Sequence, residues 1–120
     1  MAIRSLNEGK EHEQLITALA NKFTAEGYSV KADHIGYPNG APAQIVSHIP
    51  DISASKLNQR IVIEAETGDS ISTDQTFSQW REFSRIAGCE FHVIVPKKSL
   101  QLAQNQAQTW GIRVDHWWYL

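Results

Sequence analysis

The segment Arg60-Ile61-Val62-Ile63-Glu64-Ala65-Glu66 constrains the fold of this chain more than any other. Its β-branched run reads as a strand that needs burial, yet two acids close it. Side chains alternate along a strand, so Glu64 and Glu66 project to one side, roughly 6.5–7 Å apart, while Ile61, Ile63 and Ala65 take the other. Neighbouring acids on an otherwise apolar strand repel each other and lose hydration, a cost that calls for a counter-ion. A solvated edge-strand face is the ordinary alternative, but the Ile-Val-Ile run suits a central strand.

The rest of the chain arranges itself around that strand, which spans Gln59 to Thr67. From Glu8 to about Glu26, Leu15, Ile16, Leu19, Ala20 and Phe23 recur at helical spacing, with Asn7 as N-cap and Gly27 as stop. Tyr28 to Ile35 alternates as a strand, and Gly36 to Pro42 is a loop, with two prolines and two glycines in seven residues. Gln44 to Ser53 is a further strand, joined to Gln59–Thr67 through a hairpin around Ser55-Lys56-Leu57-Asn58. Thr73 to Ala87 returns to helical spacing and stops at Gly88. Phe91–Val95 is a short buried strand ended by Pro96, Ser99–Thr109 a third helix after it, and Ile112–Trp118 a last strand. The order α-β-β-β-α-β-α-β predicts an α/β fold in which a mixed central sheet is flanked by helices.

At 120 residues and 42% hydrophobic content, residues 1–120 suffice for a single domain with one core. The single cysteine, Cys89, excludes an intrachain disulfide framework and multi-cysteine zinc sites, and suits a reducing cytoplasm. With no apolar leader at Met1–Ser5 and no run of about 18 apolar residues, the sequence predicts a protein without a membrane span. A net charge of −2 gives no overall attraction for a polyanion. The nearest basic clusters, Lys97-Lys98 and Arg81/Arg85, read as solvated surface. His12, His34, His48, His92 and His116 follow no metal-ligand spacing, and Gly36–Gly40 lacks the ending of a phosphate loop. Trp110, Trp117, Trp118 and Tyr119 read as core or as a dimer contact rather than a base-stacking platform.

Asp51, in Ile49-Pro50-Asp51-Ile52, lies thirteen positions before Glu64, and a short hairpin brings the two side by side. A turn residue after Pro50 is the plainer reading of Asp51. Hard divalent ions take carboxylate, carbonyl and water ligands and often only one or two protein carboxylates. Asp51 and Glu64, with the Ala65 carbonyl, meet that demand for Mg²⁺ or Mn²⁺.

Pro50-Asp51 followed by Glu64-Ala65-Glu66 at the end of an apolar strand resembles the bipartite motif of the PD-(D/E)XK nuclease-like superfamily. The element order is similar to the family's αβββαβ restriction-endonuclease-like core, and the resemblance covers most of the chain. The helix carrying Glu11 and Glu13 is similar to the acidic first helix of Holliday-junction-resolvase-like members, and Gln79 occupies a position similar to a Gln of several branches. The chain departs from the motif at Glu66, where the family most often has Lys.

The resemblance implies a Mg²⁺-dependent endonuclease or phosphodiesterase acting on DNA. Asp51 and Glu64 would hold the metal, Glu66 would activate or position water, and Glu13 and Gln79 would assist. For Glu13 a favourable charge near a helix start is the plainer reading, and for Gln79 a surface role. A Glu at the Lys position cannot stabilise an anionic phosphorane, which leaves more to the metal. The alternative is a nuclease-like fold without catalysis, serving as a nucleic-acid or protein binding module in a larger system whose protein partner supplies basic surface. A homodimer through Trp117-Trp118 is compatible with either.

Overall fold

The computed structural model describes residues 6–120, and its elements follow the expected order. They are α1 (Leu6–Ala25), β1 (Ser29–Ala32), β2 (Ile52–Lys56), β3 (Gln59–Ala65), α2 (Asp74–Ser84), β4 (Glu90–Val95), α3 (Leu100–Trp110) after a 3₁₀ turn at Lys97–Ser99, and β5 (His116–Tyr119). The strands form one sheet in the order β1-β2-β3-β4-β5. The first three pair antiparallel as a meander, whereas β3–β4 and β4–β5 are parallel. Crossover helices supply the long connections that parallel pairs need.

The parity expected for β3 is the organising feature of the core. Ile61, Ile63 and Ala65 face α1 and pack with Leu15, Ile16, Leu19 and Phe23. Val62, one residue out of phase, joins Phe91, Val93 and Val95 against Trp80 and Phe83 of α2 and Ala103 and Ala107 of α3. The result is three layers, with α1 on one face of the sheet and α2 and α3 on the other. Trp117 belongs to the α2–α3 side and Trp118 to the α1 side, where it meets Phe23 edge-on at 5.7 Å. These two rings fill the chain's own layers.

Several boundaries differ from the sequence reading. Helix α1 begins by Leu6, so Asn7 lies inside its first turn, and Gly27 closes it with φ +91° as Tyr28 N–H returns to the Phe23 carbonyl at 3.0 Å. The strand expected at Gln44–Ser53 is displaced. Residues 44–51 form a loop whose one ladder contact is the Ile45–His48 bridge, while Ser55 and Lys56, expected in the turn, complete β2. Pro50 and the two-residue turn Val46-Ser47 break the ladder that the alternating pattern suggests. Helix α2 ends at Ser84, three residues short of Ala87, and Thr73 caps it by accepting from Thr76 N–H at 3.2 Å. Among the described residues no helix is long and apolar enough to cross a membrane.

Candidate functional site

The registers of β2 and β3 place the first two acids. Ile52 pairs with Ile63, so the next step outward sets Asp51 beside Glu64. Asp51 lies in the bend immediately before β2 rather than within the strand. Its backbone N–H donates to Glu64 Oε2 at 2.9 Å, and its own Oδ2 accepts from Ala65 N–H at 2.9 Å. This reciprocal clamp ties the two strand ends together through the Asp51 and Glu64 side chains.

The pair is buried, Asp51 at 6% and Glu64 at 1% exposure. Burial pushes both carboxyls upward. For Asp51 the hydrogen bonds from His12 and His34, the field of His12 and the Ala65 N–H outweigh burial and hold it well below the usual carboxylate range. Glu64 goes the other way. Burial comes first, followed by the negative fields of Asp51 and Glu66, and together they raise it well above the ordinary value of 4.5. Of the two, Asp51 ionises the more readily and Glu64 holds its proton to higher pH.

Glu66 shares the strand parity of Glu64 but not its surroundings. Its Oε1 accepts from Ser70 Oγ at 2.7 Å and Thr76 Oγ1 at 3.3 Å, and its Oε2 accepts from Trp80 Nε1 at 3.1 Å. Both carboxylate oxygens are thus engaged by side-chain donors. The water-activating part expected of Glu66 thus meets a physical obstacle, because its lone pairs already serve the α2 N-terminus and the Trp80 indole.

All three acids line one cleft of about 340 Å³ between α1, the start of α2 and the 44–50 loop. Gln79 lines it too, with Gln44 and Gln75, as do His12, Asp33, His34, Ser47, His48, Ile49, Ser70 and Thr76. Glu13 does not. It is exposed on the outer face of α1, beside Lys10, Gln14 and Thr17. The residue that α1 sends into the site is His12, 6% exposed, whose Nε2 stands 3.3 Å from Asp51 Oδ2. The helical period held the signal: His12 lies three and four positions before Leu15 and Ile16 on the buried stripe, and Glu13 lies off it.

The histidines that look scattered in sequence are gathered by the fold. His34 Nε2 is 3.3 Å from Asp51 Oδ1 and 3.5 Å from Asp33 Oδ2, and its ring meets that of His12 edge-on at 5.3 Å. His48 Nε2 sits 3.0 Å from Ser78 Oγ, and Glu82 Oε1 accepts from Ser47 N–H at 3.1 Å, fixing the 44–50 loop to α2. No Lys or Arg lines the cleft among the described residues, and both ion-pair partners of Asp51 are histidines. Lys98 lies outside it, against Glu11 at 3.9 Å, and Arg81 lies over the Phe77 ring.

The donor set suits a hard divalent cation of one kind. Among the described residues no group of three or more His, Cys, Asp or Glu side chains is arranged to enclose an ion. Asp51 and Glu64 fit instead a cation that takes two protein carboxylates and completes its shell with water and substrate oxygens. Burial raises Glu64 first, and the negative fields of Asp51 and Glu66 add to it. Comparison of the chain with family models, with curated proteins and with solved structures gives no match.

Proposed function

We propose that this protein is a metal-dependent phosphodiesterase acting on DNA, with Mg²⁺ or Mn²⁺ held by Asp51 and Glu64, on a restriction-endonuclease-like αβββαβ core. The observation that carries the reading is the Asp51–Glu64 clamp: two buried carboxylates joined at the end of a central strand, on the floor of a cleft that no Lys or Arg lines among the described residues. Two adjoining buried carboxylates repel each other, and a cation bound between them would offset that cost. The order α1-β1-β2-β3-α2-β4, with Asp51 at the head of β2 and Glu64 near the end of β3, adds support.

The residues divide the work. Asp51 is anionic before any ligand arrives and is oriented by Ala65 N–H and His12. Glu64 gives up its proton as positive charge enters, so the site's affinity for a cation rises with pH. When bound, the cation supplies Lewis acidity, lowering the pKa of its water and neutralising charge on the phosphate. Gln79, Gln75 and Gln44 on the cleft wall donate amide hydrogens to substrate oxygens. Glu66 acts from behind, as a fixed charge that raises Glu64 and as the brace joining β3 to α2.

A second reading is favoured by one observation: among the described residues no Lys or Arg lines the cleft to meet a phosphorane, and the net charge is −2. On that reading the fold binds nucleic acid or a protein partner without cleaving. Cleavage assays on junction, nicked and linear duplex DNA with Mg²⁺ or Mn²⁺ decide between them. The nuclease reading expects metal-dependent products from wild type and none from Asp51→Ala or Glu64→Ala; equal products from all three proteins sink the site assignment.

A further inference from the structure

The two oxygens of Asp51 are not equivalent. Oδ2 is committed to the protein, accepting from Ala65 N–H at 2.9 Å and facing the buried His12 Nε2 at 3.3 Å. Oδ1 faces the His34 imidazole, whose Nε2 is 3.3 Å away. His34 differs from His12 in exposure and in the element that carries it. Its side chain is 49% exposed against 7%, and it sits in a turn after β1 rather than on a helix. Its backbone lies at φ +71°, in the left-handed region that His, Asn and Asp visit more readily than other residues. A second carboxylate, Asp33 Oδ2, lies 3.5 Å from the same Nε2 and offers the ring a place to stay when it leaves Asp51.

We infer that His34 is a gate on the cation site: its imidazole occupies Asp51 Oδ1 in the unliganded protein and must swing toward Asp33 and solvent before a divalent cation can take that oxygen. This inference rests on the proposed role of Asp51 and deepens it. An N–H and a cation compete for the same lone pairs, so removing the N–H strengthens cation binding rather than weakening it. Were His34 a metal ligand, its removal would act in the opposite sense. The direction of one effect therefore separates the two roles.

The test is calorimetric titration of Mn²⁺ into wild type, His34→Asn and Asp51→Asn. Asn is chosen because it tolerates φ +71° while being too short to reach Asp51. The gate predicts tighter Mn²⁺ binding by His34→Asn, by about tenfold, the worth of one hydrogen bond to a charged group, and loss of binding in Asp51→Asn. Unchanged or weaker binding in His34→Asn, with Asp51→Asn still losing it, overturns the gate and leaves the cation site standing. Absence of binding in wild type and His34→Asn alike overturns both. As a second readout, Mg²⁺ saturation must shift the His34 ring resonances of the wild-type protein in NMR spectra; resonances that stay unmoved while Mg²⁺ binds contradict the gate.

Discussion

Asp51 N–H donates to Glu64 Oε2 while Ala65 N–H, the next amide along β3, donates back to Asp51 Oδ2, both at 2.9 Å. Burial and the fields of Asp51 and Glu66 raise Glu64, while His12, His34 and the Ala65 N–H hold Asp51 down, and the first prediction follows from that difference. Glu64→Gln reproduces the protonated acid in shape and hydrogen bonding. A carboxyl raised in the folded state stabilises the fold below its unfolded value and loses that contribution as pH rises through the folded value. Wild type and Glu64→Gln should therefore have equal stability below about pH 4.5, the ordinary value of the group. Above it the variant gains on wild type, by about 1.4 kcal/mol per pH unit until the folded-state value is passed. Urea unfolding at pH 4, 6 and 8 checks this, and parallel curves for the two proteins would refute it.

Glu66→Gln should behave in the opposite way despite the shared strand face. Ser70, Thr76 and Trp80 all donate to the Glu66 oxygens, and a Gln amide would turn an NH₂ toward one of those donors. The expected cost is about 1–3 kcal/mol, that of a buried polar group left without its partner. Thermal unfolding of the two variants side by side at pH 8 should show Glu64→Gln melting above wild type and Glu66→Gln below it.

Strand parity is what made the site legible in sequence. Alternation alone set Glu64 and Glu66 against the α2 side and Ile61 and Ile63 against α1, and the hairpin spacing brought Asp51 to Glu64. Parity cannot tell two acids on one face apart. Glu64 faces another acid and Glu66 faces three donors because of residues 4, 10 and 14 positions further on, which only the path from β3 into α2 brings back. The histidines were hidden for the same reason: positions 12, 34 and 48 have no common period and meet only once α1, the turn after β1 and the 44–50 loop close around the cleft. Glu13 is put forward by the resemblance of its helix to an acidic first helix, where the apolar period already points to His12 as the residue on the buried stripe.

The displaced β2 carries a prediction of its own. The hairpin turn is two residues long, Leu57-Asn58, and Leu57 takes φ +54° with its side chain 98% exposed. It gives up burial and backbone comfort together. Leu57→Gly should raise stability by about 1 kcal/mol, since the strain of a non-glycine residue there exceeds the entropy that Gly adds to the unfolded chain. Chemical denaturation checks it, and a loss of stability would show that the turn is not strained.

Glu64→Gln also offers the most direct trial of the central claim, because it separates fold from chemistry in one protein. At pH 8 the variant keeps the Asp51 clamp and gains stability, but it loses one of the two carboxylates proposed to hold the cation. DNA cleavage in Mg²⁺ by the wild type, measured beside Glu64→Gln in the same preparation, should give metal-dependent product from the first and at least about a hundredfold less from the second, the scale of losing a charge-stabilising group in an active site. Equal cleavage by a Glu64→Gln protein that melts at or above the wild-type temperature would contradict the account.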